Sequence, residues 1–457
     1  MSIGFLLRMA YLTARPVWYD EVITIFYAQS SFSYILKHFV HGSNPPFAYF
    51  FYRIWILCFG TSQLSFEIVS VLFSVLALFM MNRVGRLLFD AWTGVIAVCL
   101  LAFSSYHLFV SQQIRGYSMA CFFALVSIDQ LFRFTKKGER RFLIGWILSC
   151  FFMIGTHFYT VFLFAVECLV ILVAWQKESK TLKMSQWLIY AAGSLLILFA
   201  SWIFLHVVQA AGFFPFYARP VAGFSDVQLV LQSVFFLSKP LVGLSIMLVS
   251  ASGAWILKNQ KQAANQLYFL AAWFLVSVGV PLLISSAIPS FFYVRYYIFT
   301  HLAWVLLTAF AIRLIPMKLV RMTVVFVFIF YLSFLISDYF GECRAKQAQK
   351  EIFQNVTREF QAGDVIVHEN GWTFGPSYYY HQGKLNEFFL TDEFVVPTLE
   401  EHQMAPQEIG RYQRFWLFLE TPDDMLKLAR ENWFQKLNKK LVKSDRAGAW
   451  YLFKITK

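Results

Sequence analysis

The chain has 457 residues, of which 58% are hydrophobic and only 14% are charged, and it contains 53 Phe and 14 Trp. A soluble domain has about half apolar and about a quarter charged residues, so this composition excludes a soluble protein and predicts a helical integral membrane protein. The net charge of +13 lies entirely in residues 1–341, which hold 23 Lys/Arg and 10 Asp/Glu. Membrane topology explains a basic excess in that region, and we therefore expect no nucleic-acid partner.

A short apolar stretch, residues 3–14, is too short to be an ordinary span, which needs about 20 residues. A polar, aromatic loop over 15–43 follows and contains Trp18-Tyr19-Asp20-Glu21. Two adjacent carboxylates at the mouth of a membrane domain are costly unless they have a function. This pair is therefore the first candidate for catalytic chemistry.

Apolar runs predict the membrane-spanning helices of residues 1–341. The run 45–60 begins at Pro45-Pro46 and is marginal in length, so we interpret it as a helix lying at the outer membrane interface. With the short first stretch, we expect about eleven spans. The clearer spans are predicted at 64–85, 92–110, 117–135, 142–158, 159–175, 186–208, 240–257, 267–288, 294–314 and 320–340.

Basic residues between the spans predict the topology. Five clusters fall on one side of the membrane if 45–60 does not cross it, and the positive-inside rule makes that side cytoplasmic. The N-terminus is then inside and the C-terminus outside. The loops 15–63, 111–116, 209–239 and 286–293 meet on the outer face. The five clusters are Arg83/Arg86, Lys136/Lys137/Arg140/Arg141, Lys177/Lys180/Lys183, Lys258/Lys261 and Arg313/Lys318/Arg321.

The character of the chain changes at about residue 341, and we predict two domains, 1–341 in the membrane and 342–457 as a small extracytoplasmic α/β domain. Short apolar runs predict buried strands, and the spacing over 345–360 predicts a helix. Residues 371–380 are interpreted as a loop. Predicted strands lie at 365–368, 415–419 and 450–455, and a helix is expected to start at 421–424.

Several motifs resemble those of a known superfamily when they are taken in order. Trp-Tyr-Asp-Glu at 18–21 resembles the Trp-x-Asp-Glu of GT-C fold glycosyltransferases, the protein O-mannosyltransferase and aminoarabinose-transferase superfamily (bacterial family 39 and family 83-like members). Asn44-Pro45-Pro46-Phe47 with Phe59-Gly60 is similar to its His-Pro-Pro-Leu … Phe-Gly stretch. SYHLFVSQQIRGYS at 105–118, Thr156-His157-Phe158-Tyr159 and Arg295-Tyr296-Tyr297 resemble further motifs of that superfamily.

This resemblance implies a polytopic helical GT-C bundle that moves a sugar from a polyprenyl-phosphate donor to an envelope glycan, lipid or protein. It implies an enzyme of the bacterial inner membrane whose active site faces away from the cytoplasm. Asp20 would be the general base, and Glu21 would orient it or contact the acceptor. The residues expected to bind substrate are Arg115, Arg295, His157, Tyr296, Tyr117 and Gln113.

Three sites depart from the superfamily pattern. Near Gln63 and Glu67 the superfamily has Glu and then Arg, so the first charge is lost and the second is reversed. Asn44 replaces a usual His, and Gln113 replaces a usual Glu, which removes a second outer carboxylate. No metal ligand is assigned, and a divalent metal assisted by His41 stays open. A polytopic transporter or flippase without glycosyl transfer is the alternative, although such proteins show repeated halves or charged residues near the bilayer midplane. An inactive scaffold of the same fold is a third reading.

Overall fold

The computed structural model describes residues 1–39, 44–177, 190, 193–194, 224–235, 238–259, 261–285, 294–368, 371–390, 402–404, 406–419, 440–447 and 450–456. The chain divides into two compact units. The first comprises Met1–Ala10 and Ser31–Tyr339, and the second comprises Tyr11–Ser30 and Phe340–Lys457. The segment that carries Asp20 is therefore grouped with the C-terminal region rather than with the membrane helices around it in sequence.

The first unit is entirely helical in the part that the structure describes. Short 3-10 turns precede two of its helices, at Phe158–Thr160 and Val294–Tyr297. Its helices are α1 (Ser2–Met9), α3 (Phe32–His38), α4 (Phe47–Phe59), α5 (Gln63–Leu88), α6 (Ala91–Ala102), α7 (Ser105–Ser111), α8 (Tyr117–Lys137), α9 (Arg140–Thr156), α10 (Val161–Lys177), α11 (Phe224–Val234), α12 (Lys239–Asn259), α13 (Lys261–Ser285), α14 (Ile298–Arg313) and the first half of α15 (Lys318–Glu359).

Within the described residues, six helices are long and apolar enough to cross a membrane, or seven if the bent pair α6–α7 is one span. The membrane character predicted from composition is thus confirmed, whereas the count of eleven spans is not. Helix α4 is a short apolar helix, in line with the prediction that 45–60 does not cross. The predicted span at 186–208 lies outside the described ranges, apart from isolated positions.

The core of the first unit is built around α14, in which every residue from Ile298 to Ile312 is buried. A helix that is apolar on all sides is stable only when other helices cover it completely. Helices α5, α6 and α8 supply much of the remaining buried side-chain surface. Trp304, in the middle of α14, donates a hydrogen bond to Ser245 on α12 at 3.1 Å, which ties the central helix to an outer one.

The break between α6 and α7 is held by polar contacts. The two helices are bent by 67°, so the regular helical hydrogen bonds of α6 are interrupted at its end. The buried guanidinium of Arg8 donates to the carbonyls of Ala102 and Leu101 at 3.4 and 3.5 Å. Ser104 caps α7 by accepting the His107 N–H at 3.3 Å. The break directs the chain toward the turn that carries Gln113 and Arg115.

The second unit is an α/β fold with one five-stranded sheet. The strands are β1 (Val365–His368), β2 (Glu387–Phe389), β3 (Arg414–Leu419), β4 (Lys440–Ala447) and β5 (Trp450–Thr456), in the order β2-β1-β3-β5-β4. The pairs β1–β2 and β1–β3 are parallel, whereas β3–β5 and β4–β5 are antiparallel. Helices α2 (Tyr19–Gln29), α16 (Gly371–His381) and the second half of α15 complete the unit.

Alternate residues of β1 and β3 enter two separate cores, as expected for strands covered on both faces. Ile366, Trp416 and Phe418 pack on one face with Phe353 of α15. The other face is formed by Val365, Val367, Phe415, Leu417, Met404, Ile409 and Ile455. The strands predicted at 365–368, 415–419 and 450–455 are therefore confirmed.

Two features of this unit were not predicted correctly. Residues 371–380 were interpreted as a loop but form helix α16, which contains Pro376. Strands β2 and β4 were missed. The helix predicted at 345–360 is real, but it continues the last membrane helix as α15 without a break. The helix start predicted at 421–424 lies outside the described residues.

Candidate active site

The turn between α7 and α8 carries two of the predicted substrate-binding residues. Helix α7 ends at Ser111 and α8 begins at Tyr117. Within the turn, the Arg115 N–H donates to the Gln113 carbonyl at 2.8 Å, and Ser70 of α5 donates its hydroxyl to the same carbonyl. The side chains of Gln113 and Arg115 are buried. The turn is thus fixed by its own backbone and by a neighbouring helix.

Gly116 lets this turn approach the end of α9. A Cβ atom built on Gly116 would lie 2.7 Å from Cγ2 of Thr156 and 3.1 Å from Cβ of Ala48. Both distances are shorter than ordinary carbon–carbon contacts, so only glycine fits between the two elements. Because Thr156 directly precedes His157, this close contact brings Arg115 and Tyr117 into the neighbourhood of His157.

His157 lies at the centre of an aromatic cluster. Its ring centroid is 5.4 Å from that of Tyr117 and 5.0 Å from that of Tyr296. Tyr159 lies 4.9 Å from Tyr296. The His157 ring is buried, and neither of its nitrogens has a hydrogen-bond partner among the described residues. A buried polar ring with unsatisfied nitrogens is unusual in a folded protein and often indicates a ligand site.

Two guanidinium groups lie near this histidine. The Arg295 guanidinium carbon is 5.9 Å from the centroid of the Tyr296 ring. Both Arg115 and Arg295 are close enough to act electrostatically on the His157 ring. The first unit therefore brings together all six residues predicted to bind substrate, which come from separate segments of the chain: Arg115, Arg295, His157, Tyr296, Tyr117 and Gln113.

Asp20 and Glu21 lie in the second unit, in the first turn of α2, where acidic residues favour helix formation. Both oxygens of Glu21 are occupied. Arg15 donates to them at 2.7 and 2.5 Å, and the Trp18 N–H donates to one of them at 2.7 Å. Glu21 is buried, whereas Asp20 is partly exposed to solvent.

These contacts suggest different roles for the two carboxylates. Glu21 accepts the N–H of Trp18, the N-cap of α2, and balances the charge of Arg15. An acceptor could reach Glu21 only if these bonds were broken, and breaking a buried ion pair costs about 3–5 kcal/mol. The geometry therefore favours Glu21 as the residue that orients Asp20 rather than one that contacts the acceptor.

Sequence reasoning missed two partners of this segment. Arg15 lies six residues before Glu21, and the two pair across the start of α2. Tyr380 accepts a hydrogen bond from the Val17 N–H at 2.8 Å. No local pattern indicates a contact between residues so distant in sequence.

Metal ligation has no support among the described residues, where no group of three or more His, Cys, Asp or Glu side chains is placed to hold an ion. His41 lies outside the described ranges. Asn44, which replaces a usual His, is buried in the first unit. The divalent metal stays a prediction.

Comparison with known proteins identifies a family match in the first unit. Residues 43–204 match the dolichyl-phosphate-mannose-protein mannosyltransferase family. The chain is similar to the putative mannosyltransferase YycA of Bacillus subtilis, with 26% identity over 165 residues. That match covers 34% of this chain, and the chain spans about a quarter of that relative's length (24%).

Solved structures extend the likeness to nearly the whole chain. The crystal structure of ArnT from Cupriavidus metallidurans in the apo state is similar with a TM-score of 0.61 and 12% identity, covering 99% of this chain and 96% of that one. The structure of the same protein bound to undecaprenyl phosphate matches with a TM-score of 0.61, 13% identity and the same coverage. The likeness over nearly the whole chain shows that this protein has the fold of the ArnT structures, which agrees with the GT-C fold that its sequence motifs predict.

Proposed function

We propose that this protein transfers a sugar from a polyprenyl-phosphate-linked donor to an acceptor of the bacterial cell envelope, which is a glycan, a lipid or a protein. The observation that carries the proposal is the cluster of Arg115, Arg295 and His157 in a chain of the GT-C fold. The likeness to an ArnT structure that holds undecaprenyl phosphate supports a lipid phosphate as the donor group.

A phosphate suits the cluster for chemical reasons. Arginine offers a planar set of N–H donors that matches phosphate oxygens, and charge-assisted hydrogen bonds of this kind are about twice as strong as neutral ones. Burial of Arg115 and His157 excludes competing water. Two cations near one site also stabilise the negative charge that grows on the phosphate as the bond to the sugar breaks. The aromatic rings of Tyr117 and Tyr296 provide apolar walls beside them.

In the mechanism that we propose, Asp20 acts as the general base. Its carboxylate takes the proton from the acceptor hydroxyl while the acceptor oxygen forms a bond to the anomeric carbon of the donor sugar. The bond between that carbon and the phosphate oxygen breaks, and the electron pair leaves with the polyprenyl phosphate. Attack opposite the leaving group inverts the anomeric configuration. Glu21 and Arg15 hold the start of α2 so that Asp20 is presented in one position.

We further propose that the protein is a multi-pass protein of the inner membrane whose active site and C-terminal domain face away from the cytoplasm. The one-sided distribution of basic clusters supports this orientation. The apolar helices of the first unit support insertion in the bilayer.

The proposal is tested by mass analysis of cell-envelope glycans in a bacterium that carries the gene and in a deletion strain. We expect one sugar substituent to disappear on deletion and to return when the wild-type gene is supplied. The Asp20→Asn protein should be produced at the wild-type level but should restore less than about 1% of the substituent, because removal of a general base costs roughly 10²–10⁴-fold in rate.

Asp338→Asn is the matched control, since Asp338 is an exposed aspartate on α15 and its change should restore the substituent fully. Full restoration by Asp20→Asn would remove Asp20 from the mechanism. An unchanged set of glycans after deletion would contradict glycosyl transfer and favour the transporter alternative. Repeating sugar transfer in membranes with EDTA tests the divalent metal.

A further inference from the structure

The segment before Asp20 is held by two hydrogen bonds from elsewhere in the second unit. The Val17 N–H donates to the hydroxyl oxygen of Tyr380 at 2.8 Å, and the ammonium group of Lys350 donates to the Thr13 carbonyl at 3.0 Å. Val17 is fully buried and precedes the N-cap of α2 by one residue. The position of Val17 therefore sets where α2 begins and where its first turn presents Asp20.

The Tyr380 ring is itself held by two contacts with α15. The ring stacks on Phe353 of α15 with centroids 5.5 Å apart and an angle of 23° between the planes. The Lys350 ammonium nitrogen lies 5.6 Å from the ring centroid. A phenol held by stacking and by a cation–π contact has little rotational freedom, so its hydroxyl oxygen is a well-placed acceptor.

The helix that carries Tyr380 is anchored to the sheet through the next residue. His381 donates from Nε2 to the Phe353 carbonyl at 3.0 Å and from Nδ1 to Glu387 of β2 at 2.7 Å. Ser377, one turn earlier on α16, donates to Glu387 at 2.6 Å. A continuous set of contacts thus runs from β2 through α16 to Val17, which directly precedes the Trp-Tyr-Asp-Glu motif.

We propose that Tyr380 is a positioning residue for Asp20, which makes the C-terminal domain part of the catalytic apparatus rather than an appended module. The inference rests on the proposed function, because it takes Asp20 as the base. In this role Tyr380 acts through the Val17 backbone. It acts by fixing the backbone at Val17, and misplacement of a catalytic group by about 1 Å can cost up to 100-fold in rate.

Tyr380→Phe is the decisive variant, because it removes the hydroxyl oxygen and keeps the ring stack on Phe353. We expect kcat for sugar transfer to fall about tenfold, while KM for the polyprenyl-phosphate donor stays within about twofold, since Arg115 and Arg295 are assigned to the donor phosphate. Hydrogen exchange measured by mass spectrometry on peptides covering 11–20 should become faster, and exchange in β1 and β3 should not change.

Tyr331→Phe is the control, since it removes a hydroxyl from an exposed tyrosine on α15 and should leave kcat and the exchange of 11–20 unchanged. A merely structural role for Tyr380 would instead speed exchange throughout the sheet and lower the amount of folded protein. The inference would be overturned if Tyr380→Phe showed wild-type hydrogen exchange over 11–20. It would also be overturned if Tyr380→Phe had wild-type kcat while Asp20→Asn abolished transfer. A wild-type protein without any transfer activity would contradict the proposed function itself.

Discussion

The adjacent residues Asp20 and Glu21 carry the same functional group in different surroundings. Glu21 is buried and receives three hydrogen bonds from Arg15 and the Trp18 backbone, whereas Asp20 is partly exposed. A carboxylate whose two oxygens both accept hydrogen bonds from a buried cation can contact an acceptor hydroxyl only if that ion pair is broken, which is costly. At the scale of single residues, the two adjacent carboxylates therefore have different assigned roles: Asp20 is the proposed base, and Glu21 holds it in position.

A second buried carboxylate, Glu387, makes the C-terminal domain sensitive to acid. Burial alone would raise the pKa of Glu387, but hydrogen bonds from His368 and His381, with the charges of these rings, lower it from 4.5 to about 2. A lowered carboxyl pKa stabilises the fold above pH 4.5, and this stabilisation is lost as pH falls toward 2. The shift corresponds to about 3 kcal/mol in the free energy of unfolding.

We therefore expect the melting temperature of the purified protein, followed by scanning fluorimetry, to fall steeply between about pH 4.5 and about pH 2, which are the unfolded and folded pKa values of Glu387. Glu387→Gln should be less stable at pH 6 and should show a shallower fall. Glu408→Gln changes a surface glutamate paired with exposed Arg411 and should behave as the wild type. If the melting temperature of Glu387→Gln falls with acid as steeply as that of the wild type, then groups other than Glu387 cause the fall.

The sequence motifs named the residues that the structure groups around His157, but they did not predict the contacts that hold the Asp-Glu pair. Arg115, His157 and Tyr296 could be named because each lies in a recognisable motif at the end of a helix. The pairing of Arg15 with Glu21 depends on the backbone conformation at Pro16 and Val17. The hydrophobic periodicity of the sequence does not predict that conformation. The bond from Val17 to Tyr380 joins residues separated by 363 positions, so it is a tertiary contact without a local signal.

At the scale of elements, the cluster depends on two junctions that meet. The turn before α8 carries Arg115, and the junction after α9 carries His157. Gly116 is the contact point between them, because a side chain there would collide with Thr156. The junctions are fixed by helices on both sides, so small changes at this contact should displace Arg115 relative to His157.

Gly116→Ala tests this dependence. The added methyl group must displace Thr156 or Ala48, and we expect transfer activity to fall about tenfold or more, with overpacking costing about 1–3 kcal/mol of stability. Gly155→Ala is the matched control, because its Cβ would meet only Cβ of Phe47 at an ordinary 3.5 Å, and it should retain activity within about twofold.

The double variant Gly116→Ala/Thr156→Ser removes the methyl group that the new side chain would strike and keeps the hydroxyl that donates to the Phe152 carbonyl. We expect it to recover part of the lost activity. Equal activity in Gly116→Ala and Gly155→Ala would show that the close approach of the two junctions is unimportant for the site.

Elements with strong local patterns were predicted well, and elements determined by packing were not. Apolar runs identified β1 and β3, because central strands covered on both faces are continuously hydrophobic. Helix α16 was missed since Gly371, Gly375 and Pro376 are typical of loops, yet burial of Phe374 and the anchoring of His381 stabilise the helix. Strand β2 is only three residues long and gives no detectable periodicity.

At the scale of the whole molecule, the two compact units contain different residues of the proposed mechanism. Residues assigned to the donor phosphate belong to the unit of Ser31–Tyr339, and the proposed base belongs to the unit that includes Tyr11–Ser30. The sequence suggested two domains divided at residue 341, but it could not indicate that an early segment is grouped with the C-terminal region. Donor binding and proton transfer should therefore be separable by mutation.

The central claim is tested most directly by measuring two quantities on the same purified variants. These are the binding of undecaprenyl phosphate and the transfer of sugar from the corresponding donor. Arg295→Gln should weaken binding about 10–100-fold, because a hydrogen bond to a charged group contributes about 1.5–3 kcal/mol. Asp20→Asn should bind undecaprenyl phosphate as the wild type does and transfer no sugar. Normal binding by Arg295→Gln, or normal transfer by Asp20→Asn, would contradict the account.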